Sequence, residues 1–413
     1  MPRFEPTRQA ALTRLAAVQP QEYARTRNSL SGAVTQLSPY LTHGLLSLPE
    51  VFCTVHARHA LHAQHKFVFE LGWRAYFRHV WAHLGDDIHQ SQRAGLLPDS
   101  AYSREMPADV VEARTGIPVI DMAVRELYAV GYLHNHARMW LASYLVHLRK
   151  VHWHTGGQWM LGHLLDGDVA SNYLSWQWVA GTGSSKPYLF NAENVAKFAP
   201  PDWHSPGTVL DTSYEAMDGL ARDTRPVRPF QPGRFTINAQ SARHADSGLD
   251  EPARRVMPFP NAAWLEPDSA VVRGRDVWLR HPWSLGVAPD HLPAETVHIG
   301  VGFDACHADM AWSEQRWNFV TQGLQTQTKY LWWGDVKGIA HALETAQSVQ
   351  WQSDPHIDFA LEQLRAQLIF AGRQCAAPYE PPDLFEPVDV YCRSFSEWWK
   401  RTEISRSLDV RVF

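Results

Sequence analysis

Three short stretches gather side chains of matched chemistry on single faces. In FELGWRAYF, Glu70, Trp73, Arg74 and Phe77 stand at i, i+3, i+4 and i+7, so a carboxylate, an indole, a guanidinium and a ring share one side of a helix. In LHNHARMW, Asn135, Arg138 and Met139 put an amide, a cation and a thioether opposite the apolar stripe of Ala137, Leu141 and Tyr144. In DGDVASNYLSWQW, Asp168, Asn172 and Trp176 recur every four residues, with Asp166 just ahead of the helix. Acids at a helix start are good caps in themselves, and a Glu–Arg pair beside rings is ordinary packing. Capping does not explain an amide and an indole continuing along the same stripe. Rings to stack and charged groups to meet polar edges point to the holding of a planar, polar ligand.

Such faces require helices, and residues 1–200 read as one helix after another, with apolar positions three and four apart. Ser47 with Pro49 opens one helix, a second covers roughly 67–84, and Pro118 starts another. Between 200 and 260 lie nine of the 27 Pro, with no sustained period. Beyond them VHIGVGF (297–303), KYLWW (329–333) and SVQW (348–351) read as short strands, separated by helices near 314–325, 336–347 and 357–368. The expected fold is therefore an all-α domain over 1–205, a Pro-rich wrapping linker over 206–260 and a smaller α/β, Rossmann-like domain over 261–413. Gly300 and Gly302 lack the third glycine and the helix start of a dinucleotide fingerprint.

With 413 residues, 45% of them apolar and 20% charged, the chain is neither a disordered tail nor a small disulfide scaffold. No segment approaches the ~18 consecutive apolar residues of a membrane helix, and the start lacks an apolar signal core, so a cytoplasmic protein with no membrane partner is expected. Four Cys with no CxxC pair read as reduced, mostly buried thiols. His56, His59, His62 and His65, spaced by three, have no acidic or thiolate partners in their segment and read as a solvated or substrate-side helix face, with no metal. Residues 1–200 carry 18 Lys/Arg against 15 Asp/Glu, and 15 of the 22 His lie before 205; residues 201–413 carry 20 against 28. The first part can meet an anionic partner, although its excess is far below that of a dedicated nucleic-acid clamp.

Taken in chain order, TQLSPYLTHG, ELGWRAYFRH, LHNHARM and DGDVASNYLSWQW resemble the flavin domain of the photolyase/cryptochrome family over roughly residues 20–200. The resemblance implies a U-shaped FAD. Tyr23 and the divergent run Val34, Thr35, Gln36, Leu37 and Ser38 take the places that hold its diphosphate end, with Gln36 where the family has Arg. Arg74, Asn135, Arg138, Asp166 and Asp168 match positions lining the cofactor, and Asn172 matches the residue beside flavin N5. Repair enzymes of the family typically carry Asn there, plant sensors Asp and insect sensors Cys. Glu70, Trp73, Asn135, Met139 and Trp178 match the lesion-facing set of the cyclobutane-dimer photolyases, and Arg27 a position near the DNA backbone. The (6-4) enzymes present two His where this chain has Asn135 and Met139.

The resemblance also implies reduction of the flavin through three Trp. Trp176 and Trp153 match the inner two; the outermost has no match, and near it stands only Tyr102, with Trp159 and Trp140 as other routes. The family's antenna-binding α/β domain usually precedes the flavin domain, whereas here an α/β segment follows it. The segment after WQW that helps grip DNA is also shortened. The implied function is a photolyase-like lyase that uses blue light and reduced FAD to split cyclobutane pyrimidine dimers in DNA, single strands included, with Glu70 bonding the lesion and Asn172 tuning N5. The alternative is a cryptochrome-like photoreceptor without repair that signals to a protein partner through residues 261–413. A third reading, a light-independent binding protein that keeps the fold, implies little bound flavin.

Overall fold

The computed structural model describes residues 4–228 and 255–404. Its first ten α-helices are α1 (Arg8–Ala16), α2 (Pro20–Thr26), α3 (Ser38–Thr42), α4 (Leu48–His59), α5 (Lys66–Leu84), α6 (Ala108–Val111), α7 (Pro118–Val130), α8 (Asn135–Ser143), α9 (Trp153–His163) and α10 (Val169–Ala180). The described residues form two compact units that interleave along the chain, where the sequence reading divided it serially. One unit takes residues 4–20, 35–82 and 256–404; the other takes 21–34, 83–228 and 255.

The second unit is helical throughout, and its ends are set by local chemistry. Pro118 sits in the first turn of α7, where its missing N–H costs nothing, and Gly131 closes that helix at φ 65°. Asp168 caps α10 by accepting from the Ser171 N–H, and Gly181 ends it at φ 80°. The run of α8 widens into a π-turn at Tyr144–Leu148. Lys150 follows at φ 54°, and its buried Nζ donates to the carbonyls of His147, Leu220 and Ala221 at 2.5, 2.9 and 2.9 Å. Burial pulls this ammonium down to about 8.

The first unit joins α1, α3, α4 and most of α5 to a four-stranded parallel sheet in the order β5 (Leu331–Gly334), β3 (Val297–Phe303), β2 (Asp276–Arg280), β6 (Ser348–Trp351). Val277 lies opposite Val297 on one side and Val349 on the other. The second unit is thus all-helical, and the first is an α/β sheet of C-terminal strands packed with helices from the start of the chain. Three strands lie where the periodicity places them, and one of the two inner strands, DVWLR, is an addition. A two-stranded antiparallel pair, β1 (Val256–Met257) with β4 (Trp312–Ser313), is likewise new. Trp278, Trp283, Trp312, Trp317 and Trp351 are fully buried in this unit, and the Arg316 guanidinium sits 4.0 Å over the Trp312 ring.

Of the expected linker, residues 229–254 lie outside the described residues, and the part before them folds into the helix Tyr214–Arg222. No described helix is long and apolar enough to cross a membrane. In the histidine series, His62 and His65 each use Nδ1 to accept a backbone N–H two residues on, and His56 Nδ1 pairs with the Leu61 carbonyl.

Burial holds His134, His147 and His163 of the helical unit at about 4, below their ordinary 6.5. A neutral buried imidazole stabilises the fold fully above 6.5, and the unfolded chain gains protons first as pH falls, so stability drops between about 6.5 and 4. Urea titrations across that range should show the fall, and the double substitution His147→Gln, His163→Gln should make it shallower, with His134 and His154 still contributing.

Candidate flavin site

The expected site residues fall in both units, and each set has its geometry within its own unit. In the first unit the turn before α3 carries Thr35, whose Oγ1 accepts from the Leu37 N–H at 3.4 Å, followed by the buried Leu37 and the half-buried Ser38. Gln36 adopts φ 53°, and its Oε1 accepts from Arg14 Nη1 at 2.8 Å. The turn thus lacks an Arg of its own but receives a guanidinium from α1. Pattern reading missed Arg14, because nothing in the sequence ties it to a turn 22 residues away. On α5, Arg74 Nη2 donates to Thr42 Oγ1 at 3.0 Å, which ties this cation to the end of α3.

The aromatic side of α5 is less open than the sequence implies. The Trp73 ring is stacked on Phe395 at 4.2 Å and 11°, and Phe69 is stacked on Trp399 at 4.5 Å. Both partners belong to the helix Phe395–Arg401. Gly72 makes the seat: a Cβ there would lie 2.5 Å from the Trp399 ring. One face of Trp73 is therefore already covered by this chain, while Glu70 on the same helix is half-buried.

In the second unit, Arg138 makes the central contacts. Its Nε donates to the Leu133 carbonyl at 2.7 Å, and Nη2 reaches both Asp166 oxygens at 3.0 and 2.8 Å. Burial works against the guanidinium's charge, but the Asp166 carboxylate outweighs it and holds the pKa above its usual value. Asp168 is 1% exposed and spends one oxygen on the α10 cap. Asn172 Nδ2 donates to the Gly157 carbonyl at 2.9 Å. At the surface, Asn135 contacts Met139 through Nδ2 and Sδ at 3.6 Å, and Trp178, 42% exposed, stacks on Tyr188. Tyr23 lies in the middle of α2 and Arg27 just beyond its end, both half-buried.

Trp176 and Trp153 are both buried, and α9 sets their spacing. Trp176 lies against Gly156, where a Cβ would be 2.5 Å from its ring, and Gly156 is three residues after Trp153 on the same helix face. Trp153 Nε1 donates to Ser91 Oγ at 2.9 Å.

The donors of each unit, taken by themselves, suit parts of an FAD. Hydroxyls and two guanidiniums in the first unit suit a diphosphate, and buried carboxylates with a fixed amide in the second suit ribose hydroxyls and a flavin edge. A sequence model of the FAD binding domain of DNA photolyase matches residues 67–201, which contain most of these groups. Residues 67–201 carry the FAD-binding domain of the photolyase/cryptochrome family. The chain is 30% identical over 254 residues to a cryptochrome DASH of Gloeobacter violaceus, covering 59% of this chain and 49% of that one. It is 37% identical over 164 residues to a deoxyribodipyrimidine photo-lyase of Streptomyces griseus, covering 40% and 36%. The chain thus spans from about a third to half of these photolyase and cryptochrome relatives. Among solved structures, a Synechocystis cryptochrome aligns over 59% of this chain and 56% of its own, at 23% identity and a TM-score of 0.45.

Two substitutions probe this geometry. Removing the Arg14 guanidinium in Arg14→Ala should weaken FAD binding on the order of ten-fold, the worth of one charge-assisted contact, measured by flavin fluorescence titration. Gly156→Ala should cost about 1–3 kcal/mol of stability in urea unfolding, because the new methyl meets a buried indole that has nowhere to move.

Proposed function

We propose that this protein is a DNA repair flavoprotein that splits cyclobutane pyrimidine dimers with blue light, acting on DNA that includes single strands. The observation that supports repair over sensing is the amide of Asn172. A carbonyl only accepts, so the group facing Gly157 is the nitrogen, and Oδ1 is left as an acceptor. A neutral acceptor beside flavin N5 favours the protonated, reduced form that repair requires without adding charge, whereas Asp there would bring a charge or a proton of its own and Cys only a weak acceptor.

FAD, when bound, reduced and excited, supplies the electron. The chain's own groups do the rest. Arg138 and Asp166 fix a neutralised polar wall, so no loose charge is left to reorganise during electron transfer. Trp178, exposed and backed by Tyr188, offers an indole face to a flipped pyrimidine, and Asn135 beside Met139 offers an amide to a base edge. Glu70 would accept from the lesion, and Arg27 would meet a phosphate.

Cryptochrome-like sensing is the second reading, and the stacking of Phe395 on Trp73 favours it, since that ring face is then closed to a base. The two readings separate in one assay. Protein purified in the dark, reduced and illuminated with blue light should remove a thymine dimer from an oligonucleotide, and Asn172→Asp should slow the removal several-fold. Bound flavin that responds to light yet leaves dimers intact in both single- and double-stranded substrates would replace repair by sensing.

A further inference from the structure

The two buried indoles of the helical unit need a donor that reaches solvent. Trp153 and Trp176 are 3% and 2% exposed. The ring neighbours of Trp159 are Tyr128 and His163, and those of Trp140 are His136 and Phe190, so both sit in other clusters. Two ring series leave Trp153: one passes to His154 and to Tyr173 at 6.2 Å, a phenol only 4% exposed, and the other leads outward. His152 lies 5.6 Å from Trp153, and the half-buried Tyr102 lies 6.4 Å from His152. A short backbone ladder fixes this approach: the Ser103 N–H donates to the Lys150 carbonyl at 2.6 Å and the His152 N–H to the Ser103 carbonyl at 2.8 Å.

We propose that Tyr102 is the terminal electron donor of this unit, reducing oxidised Trp153 across the His152 ring and releasing its phenolic proton to water. The proposal rests on the flavin photochemistry of the preceding section. The excited flavin is the oxidant and gains one electron. Trp176 and then Trp153 lose and regain one, and Tyr102 ends short of one electron and one proton, as a neutral radical that a soluble thiol restores.

The surroundings suit this division. His152 Nδ1 accepts from the His154 N–H at 3.2 Å, which leaves the proton on Nε2, 3.5 Å from the Asp99 carboxylate. Burial lowers the imidazole's pKa, which disfavours a cation in the path. Arg104 Nη1, 3.3 Å from the same Nδ1, makes a positive hole on Trp153 costlier, and a neutral tyrosyl radical carries no such penalty. Burial, with the Asp99 charge, raises the Tyr102 pKa, so the phenol stays protonated until it is oxidised.

Holoprotein frozen under blue light should show a tyrosyl radical by electron paramagnetic resonance. In Tyr102→Phe the signal should move to Trp and flavin photoreduction should fall several-fold, while Tyr102→Trp restores photoreduction with a Trp radical. A Trp radical in the unaltered protein, or unchanged photoreduction in Tyr102→Phe, overturns the proposal and leaves the flavin assignment standing. Oxidation by azidyl radicals in the dark reads the same hop without flavin: a Trp-to-Tyr transfer phase should be present and be lost in Tyr102→Phe, and its persistence there also overturns the proposal. Failure to bind flavin at all would instead strike the functional reading.

Discussion

The helical unit is organised around one ion pair. Arg138 on α8 and Asp166 just before α10 are joined by two short contacts, and the Asp166 side chain is only 3% exposed. Two charges taken out of water are costly unless their remaining valences are filled, and here the Leu133 carbonyl takes the guanidinium's Nε. Removing either partner would strand a buried charge, a loss of about 3–5 kcal/mol by analogy with other buried pairs. Once the pair is made, the start of α10 is set. Asp168 then caps that helix, Asn172 falls one turn on and reaches Gly157, and Trp176 falls one turn further and settles on Gly156. A single electrostatic lock thus fixes, at four-residue steps, the groups that meet a flavin and those that feed it electrons.

Much of this was legible in the chain. The four-residue recurrence in DGDVASNYLSWQW and the spacing in LHNHARMW are properties of a helix face, and a helix face survives folding intact. Three of the four parallel strands were legible for a similar reason, as apolar runs in a sheet covered on both sides. The inner strand DVWLR was not, because it is five residues long and ends in charges at both sides, one of which, Arg280, is buried against Ser284 and Gly286 carbonyls.

What sequence reading missed depends on tertiary approach. Arg14 meets Gln36 across 22 residues, and Phe395 meets Trp73 across more than three hundred. No local pattern encodes either contact. In hindsight the signals are small: a Gln where an Arg is expected, which calls for a cation from elsewhere, and a glycine in ELGWR on a face otherwise crowded with rings, which marks a seat for one more. The interleaving of the units has the same origin. The helices over 38–82 continue the local texture of the first 200 residues, yet His43 Nδ1 donates to the Pro282 carbonyl and Arg78 pairs with Asp354.

The coverage of relatives bears on what these residues can be asked to do. The matched segment carries the polar lock, the amide and the inner indoles, while the α/β part of the chain lies beyond the matched residues 67–201. Its dense Trp and His packing is accounted for as core, with Trp283 stacked on His356 at 4.7 Å and His307 edge-on to Trp312 at 4.4 Å. The most direct test of the account is the FAD stoichiometry of the folded protein, measured by equilibrium dialysis in the dark. The geometry predicts one FAD per chain; a folded protein that takes up none would contradict it.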